Sequence, residues 1–189
     1  MSDIKKIEKY FKARVNELIL LSSNGEVWEF LGMCSMIEYL AKLVAGEDEG
    51  RTGYKRFIET WLVKVRPLYR DFQYDLSGEK LCDQMYHVLR CGIIHSFSLI
   101  PDSRALARHG RKNSIVLCHR PEATQKRFQH LQKYRQNQVT DAALFVSEDF
   151  AEDIRKVVEQ IFFDAYQNQS LQDNILKWCH DFPPIAGGF

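Results

Sequence analysis

Glu26-Val-Trp-Glu-Phe-Leu-Gly-Met-Cys-Ser-Met-Ile-Glu-Tyr-Leu-Ala-Lys-Leu-Val-Ala45 decides the fold. Its apolar residues (Val27, Trp28, Phe30, Leu31, Met33, Met36, Ile37, Tyr39, Leu40, Leu43, Val44) fall on nearly every side of a helical projection. A helix that is hydrophobic nearly all round is one that other elements surround. This stretch therefore predicts a central buried helix, closed by the acidic loop Gly46-Glu-Asp-Glu-Gly50.

The flanking segments supply partners for it. From Asp3 to Leu21, apolar positions recur at Ile4, Ile7, Phe11, Val15, Leu18 and Leu21, giving an amphipathic helix with a lysine-rich outer face. Ser22-Ser-Asn-Gly25 reads as the turn between the two. A third helix is expected over about 53–72, showing the apolar residues Tyr54, Phe57, Ile58, Trp61, Leu62, Val65 and Leu68, with Pro67 kinking it or ending it early. A fourth opens at Ser77-x-x-Lys80, with Ser77 as N-cap and Leu81, Met85, Val88, Leu89 and Ile93 facing the core. Pro101 marks its end.

Beyond Pro101 the pattern changes. Asp102 to Asn113 is polar and Arg-rich, and Ser114-Ile-Val-Leu-Cys118 reads as a strand. Pro121 to Gln138 is a surface helix or a long polar excursion. Ala142-Ala-Leu-Phe-Val146 is placed opposite the first strand as an antiparallel hairpin. Ser147 is expected to cap a helix through about Gln167, followed by a short helix over about 171–179. Trp28, Trp61 and Trp178 lie among apolar residues and are assigned to the core. The expected fold class is mainly all-α, an antiparallel bundle of four to six helices with a small inserted β-hairpin. One domain over 1–189 is expected, with the hairpin insertion at about 102–147.

Composition narrows the functional classes. Hydrophobic residues at 45% and charged residues at 27% of 189 are ordinary globular values. A net charge of +1 creates no global field toward nucleic acid, so such a role needs a local patch. No apolar run approaches the roughly 20 residues of a membrane helix, and the N-terminus lacks a signal-peptide core. Five scattered cysteines without a Cys-x-x-Cys pair suit free thiols in a reducing cytoplasm.

The stretch that carries chemistry is Tyr86-His-Val-Leu-Arg-Cys-Gly-Ile-Ile-His-Ser96. Arg90 can neutralise a phosphate bidentately and His95 can move a proton near neutral pH, which together suffice to cleave RNA without a metal. Spacing alone does not single them out. The chain holds 13 arginines and six histidines, and Arg104-Ala-Leu-Ala-Arg-His109 repeats the pattern in a polar segment. Arg90 differs because an ionised guanidinium in an apolar helix needs a partner. Two readings stand: Arg90 pairs with a core acid such as Glu38 while His95 caps a helix, or the two form a site.

The same stretch resembles the HEPN family (higher eukaryotes and prokaryotes nucleotide-binding), all-helical domains whose ribonuclease members carry Arg, four to six residues, then His. Cys34-Ser-Met-Ile-Glu-Tyr-Leu-Ala41 is similar to the family's second core helix. Val146-Ser-Glu-Asp-Phe-Ala-Glu-Asp153 resembles the start of its final bundle helix. The likeness covers roughly 24–167 and departs at Cys91, where active members often carry Asn. It implies a homodimer in which Arg90 and His95 of two copies form a composite site for metal-independent cleavage of single-stranded RNA. Glu38, Ser96 and Cys91 would support that site. The setting it implies is toxin–antitoxin or phage defence, with an antitoxin protein as possible partner. The runner-up is a catalytically silent module that binds nucleotide, RNA or a protein.

Arg104, Arg108, Arg111 and Lys112 are further candidates for RNA phosphates, against the simpler reading of a solvated surface. His87, Cys91 and His95 share a helix stripe of metal-ligand types but lack a fourth ligand nearby, so no metal and no cofactor is expected.

Overall fold

The structure, a computed structural model, describes residues 3–23, 27–92, 113–135 and 141–183. Helix α1 (Asp3–Ser22) buries Ile4, Ile7, Phe11 and Val15 along one stripe. Helix α2 (Val27–Ala45) sinks Phe30, Met33, Cys34, Ile37, Leu40, Ala41 and Leu43 into the core. It is the central helix that its all-round apolarity predicts, in contact with the first, third and last two long helices. It stops at Gly46, whose φ of +72° is the left-handed conformation that glycine adopts without strain.

Helix α3 (Gly50–Phe57) continues through a π-helical turn, Ile58–Leu62, into a last turn, Val63–Val65. Arg66 then takes an extended conformation (φ −144°, ψ 108°), as the residue before a proline prefers, and Pro67 starts the short α4 (Leu68–Asp71). Pro67 thus ends the long helix, as its sequence position predicts. Helix α5 (Leu81–Gln84) runs into a second π-helical turn, Met85–Arg90. Ser77 is not its cap: Lys80 holds that position without a side-chain bond. The Ser77 hydroxyl instead donates to Asn113 Oδ1 at 2.9 Å and accepts from the Glu79 N–H at 3.1 Å.

The expected hairpin is corrected. Strand β1 (Asn113–Cys118) runs parallel to the third strand, β3 (Asp141–Val146), in register from Asn113 opposite Asp141 to Cys118 opposite Val146. Between them lie α6 (Arg120–Lys126) and β2 (Gln132–Arg135), and β2 pairs antiparallel with β3 to give the order β1-β3-β2. Parallel strands need a crossover connection, and α6 with β2 supplies one. All six residues of β3 are buried, as suits a central strand, while β2 alternates half-buried with exposed.

Helix α7 (Ser147–Ala165) packs along α1 and buries Phe150, Ile154, Val157, Val158, Ile161 and Phe162. Ser147 is its first residue rather than its cap. It is fully buried, and its hydroxyl donates to the Ser22 carbonyl at 2.9 Å, tying α7 to the end of α1. Helix α8 (Gln169–Asp181) is capped by Asn168, whose side chain accepts from the Leu171 N–H at 3.2 Å. One apolar core extends from Ile4 to Cys179, and a smaller one around Ala123, Leu144 and Val146 lies beneath α6. Of the three tryptophans only Trp178 is fully in the core. Trp61 is half-buried, and Trp28 is 61% exposed because it lies on the solvent side of the first turn of α2. The chain is mainly α-helical with a small three-stranded sheet. No helix among the described residues is long and apolar enough to cross a membrane.

Candidate functional site

Arg90 closes the second π-helical turn, and Glu38 faces it from the middle of α2. The Arg90 Nε donates to Glu38 Oε2 at 3.0 Å and its Nη2 to Glu38 Oε1 at 3.2 Å, the two-pronged geometry that a planar guanidinium offers a carboxylate. Partial burial works against the Arg90 charge, but the hydrogen bonds to Glu38 outweigh it and hold its pKa above the ordinary value. The pairing of Arg90 with a core acid is therefore present.

Glu38 is itself held. Lys42, four residues on and so on the same face of α2, places Nζ 3.3 Å from Glu38 Oε1 and 3.0 Å from Asp48 Oδ2. A chain of alternating charge, Arg90–Glu38–Lys42–Asp48, runs across α2 to its closing loop. Sequence reasoning passed over Lys42 and Asp48, although the Glu38–Lys42 spacing announces half of the chain. The Tyr86 ring lies beneath two guanidinium groups, with the central carbon of Arg90 at 5.6 Å and of Arg51 at 6.0 Å from its centroid. Tyr54 meets Tyr86 edge-on at 5.6 Å. Behind them the buried Cys34 thiol is pushed up to about 12 by desolvation, so it stays protonated and unreactive.

Glu38 engages Nε and Nη2 of Arg90, while among the described residues Nη1 has only the weak Cys91 sulfur acceptor at 3.8 Å. The Arg90 side chain remains 20% exposed. The guanidinium is fixed on one edge and open on another, an arrangement able to receive an anionic oxygen. Of the site residues expected from sequence, the structure brings together Arg90, Glu38 and Cys91. His95, Ser96, Arg104, Arg108, Arg111 and Lys112 lie outside the described residues, as does His109. The same holds for the third member of the His87, Cys91, His95 stripe. Among the described residues no three His, Cys, Asp or Glu side chains group to hold a metal ion.

A second polar constellation was not anticipated. Asp153, 1% exposed on the apolar stripe of α7, accepts from Arg66 Nε at 2.7 Å and Nη2 at 3.0 Å, and from the Tyr69 hydroxyl at 3.1 Å. The Tyr69 oxygen lies 3.1 Å from Nε2 of the buried His130, whose Nδ1 accepts from the Val146 N–H at 3.0 Å. Because Nδ1 accepts, the proton of neutral His130 is on Nε2, and it is donated to Tyr69. The signal was legible: Asp153 occupies the position between Phe150 and Val157 where the stripe demands an apolar residue. Phe145 and Phe150 enclose the His130 end of this network and Asp153 is sealed, while the Arg66 side chain, 32% exposed, reaches solvent. No family model, no curated protein and no solved structure matches the chain.

Proposed function

We propose that the chain is a metal-independent endoribonuclease of the HEPN type, an antiparallel helical bundle acting on single-stranded RNA as a homodimer in a toxin or phage-defence role. The observation that carries the reading is the state of Arg90: oriented by the two bonds it donates to Glu38, partly exposed, and with Nη1 meeting, among the described residues, only the weak Cys91 sulfur. His95 follows five residues on in the sequence; residues so spaced on a regular helix point about 140° apart, so the reading takes two copies facing each other as one composite clamp.

In the reaction His95 takes the proton of the substrate's 2′-hydroxyl, whose oxygen attacks the adjacent phosphorus. The bond to the 5′-oxygen breaks, that oxygen takes a proton from water as it leaves, and a 2′,3′-cyclic phosphate remains. Arg90 stabilises the charge that develops on the phosphoryl oxygens. DNA lacks the attacking hydroxyl and is spared. Glu38 is a positioning residue, and the chain works in the cytoplasm under control of an antitoxin partner.

A second reading, a catalytically silent module binding nucleotide, RNA or protein, is favoured by the same pair: Glu38 already occupies two donor positions of Arg90, and Cys91 stands where many active members of the HEPN family carry a polar residue. Purified protein incubated with single-stranded RNA and a chelator separates the two. The ribonuclease gives cyclic-phosphate ends, leaves DNA intact, and loses about a hundredfold or more in rate as Arg90→Ala or His95→Ala. Absence of cleavage by wild type, or cleavage unchanged in both variants, refutes it. A monomeric mass in solution refutes the composite site.

A further inference from the structure

The lysine-rich outer face of α1 has no part in the Arg90 site. Lys5, Lys9 and Lys12 follow one another along it, spanning about 10 Å of helix axis. With Glu8, Ala13, Asn16 and Tyr166 they line an open trough of about 520 Å3. The one acid in the trough is already engaged: Glu8 accepts from the Tyr166 hydroxyl at 2.6 Å and pairs with Lys12 at 2.6 Å. Lys5 and Lys9 pair with no acid among the described residues, so the trough is net positive. Tyr166 on its wall is 45% exposed, and Phe163, one turn earlier on α7 and so on the same side, is 60% exposed.

We infer that this trough is a track for a single-stranded RNA, its phosphates held by Lys5, Lys9 and Lys12 and a base stacked on Phe163 and Tyr166. Evenly spaced cations beside accessible ring faces are what a flexible polyanion with stacking bases requires. A membrane surface is the poorer occupant. A helix that binds a bilayer inserts its apolar face, and that of α1 (Ile4, Ile7, Phe11, Val15) is already buried in the core. The choice of RNA rests on the ribonuclease reading, which the track would serve by holding substrate away from the cleaved bond.

The test is fluorescence anisotropy with a labelled single-stranded oligonucleotide carrying 2′-O-methyl groups, which cannot be cleaved, so binding is read apart from catalysis. Lys5→Ala/Lys9→Ala/Lys12→Ala, all on the surface, is expected to weaken binding at least tenfold. It also lowers the slope of log affinity against log salt by about 2, the value for three single-strand phosphate contacts. Phe163→Ala weakens binding severalfold without changing that slope, whereas Arg90→Ala leaves most of the affinity. Equal affinity and slope in the triple variant overturn the track while leaving cleavage to stand. Binding to anionic vesicles or an acidic peptide through these lysines, with no binding to RNA, overturns it as well. RNA binding lost with the lysines in a protein that never cleaves supports the track and refutes the nuclease.

Discussion

Burial of His130 makes the protein's stability fall in mild acid by an amount that can be worked out. Its side chain is 1% exposed, and desolvation, reinforced by the Arg66 charge, holds its pKa well below the ordinary 6.5. The hydrogen-bond pattern agrees: the Val146 N–H occupies Nδ1, so a second proton has nowhere to bind. Above pH 6.5 the ring is neutral folded and unfolded, and it contributes no pH dependence. Below that, the unfolded chain takes up a proton that the folded one refuses, and the stability due to a neutral ring is lost at up to about 1.4 kcal/mol per pH unit. From pH 7.5 to 5.0 the loss is about 2 kcal/mol. Other groups also titrate there, so the measurement is a difference. Urea unfolding of wild type and of His130→Gln is followed across that range, Gln being able to accept from Val146 and donate to Tyr69 without titrating. The stability difference, wild type minus variant, should move against wild type by about 2 kcal/mol on acidification. A difference independent of pH refutes the reasoning. A shift in favour of wild type means that His130 is buried as a cation against Asp153, 3.7 Å away, and that the assigned donor pattern is wrong.

Two further outcomes follow from the geometry. A double-mutant cycle on Glu38→Ala and Arg90→Ala is expected to give a coupling of about 1 kcal/mol, above a typical surface pair because the bond is two-pronged and below a buried one because both partners touch water; denaturation midpoints of the four proteins measure it. Gly46→Ala should cost about 1 to 3 kcal/mol in the same assay. The residue has φ +72°, and a Cβ there would sit 2.9 Å from the Asn174 side chain and 3.2 Å from its backbone.

The helices were legible wherever one face or all faces carried a sustained apolar pattern, as in α1, α2 and α7, and Pro67 announced the end of the third. The sheet was not. Ser114–Cys118 and Ala142–Val146 are both apolar runs, and nothing in either says whether its partner runs parallel or antiparallel. The deciding strand, Gln132-Lys-Tyr-Arg135, is polar because it lies at an edge, and it lacks the signal that reveals a buried strand. The caps failed for a related reason. Ser77 and Ser147 each have a hydroxyl suited to a helix start, but tertiary partners, Asn113 and the Ser22 carbonyl, took those hydroxyls instead.

The candidate site shows where such reasoning gains its force. Arg90 and Asp153 offer the same local evidence: a charge in an apolar helix must have an opposite charge nearby. The structure satisfies both, with Glu38 for one and Arg66 for the other. What separates them is the burial of the acid: Asp153 is 1% exposed and Glu38 27%. Asp153 is sealed at 1% exposure with its oxygens taken by Arg66 and Tyr69, so its charge is accounted for by cohesion between the break after α3 and α7. Arg90 is 20% exposed, against 32% for Arg66, and among the described residues its Nη1 has only the Cys91 sulfur as acceptor. The pair in which both partners meet solvent, Arg90 with Glu38, is therefore where a functional test should be spent.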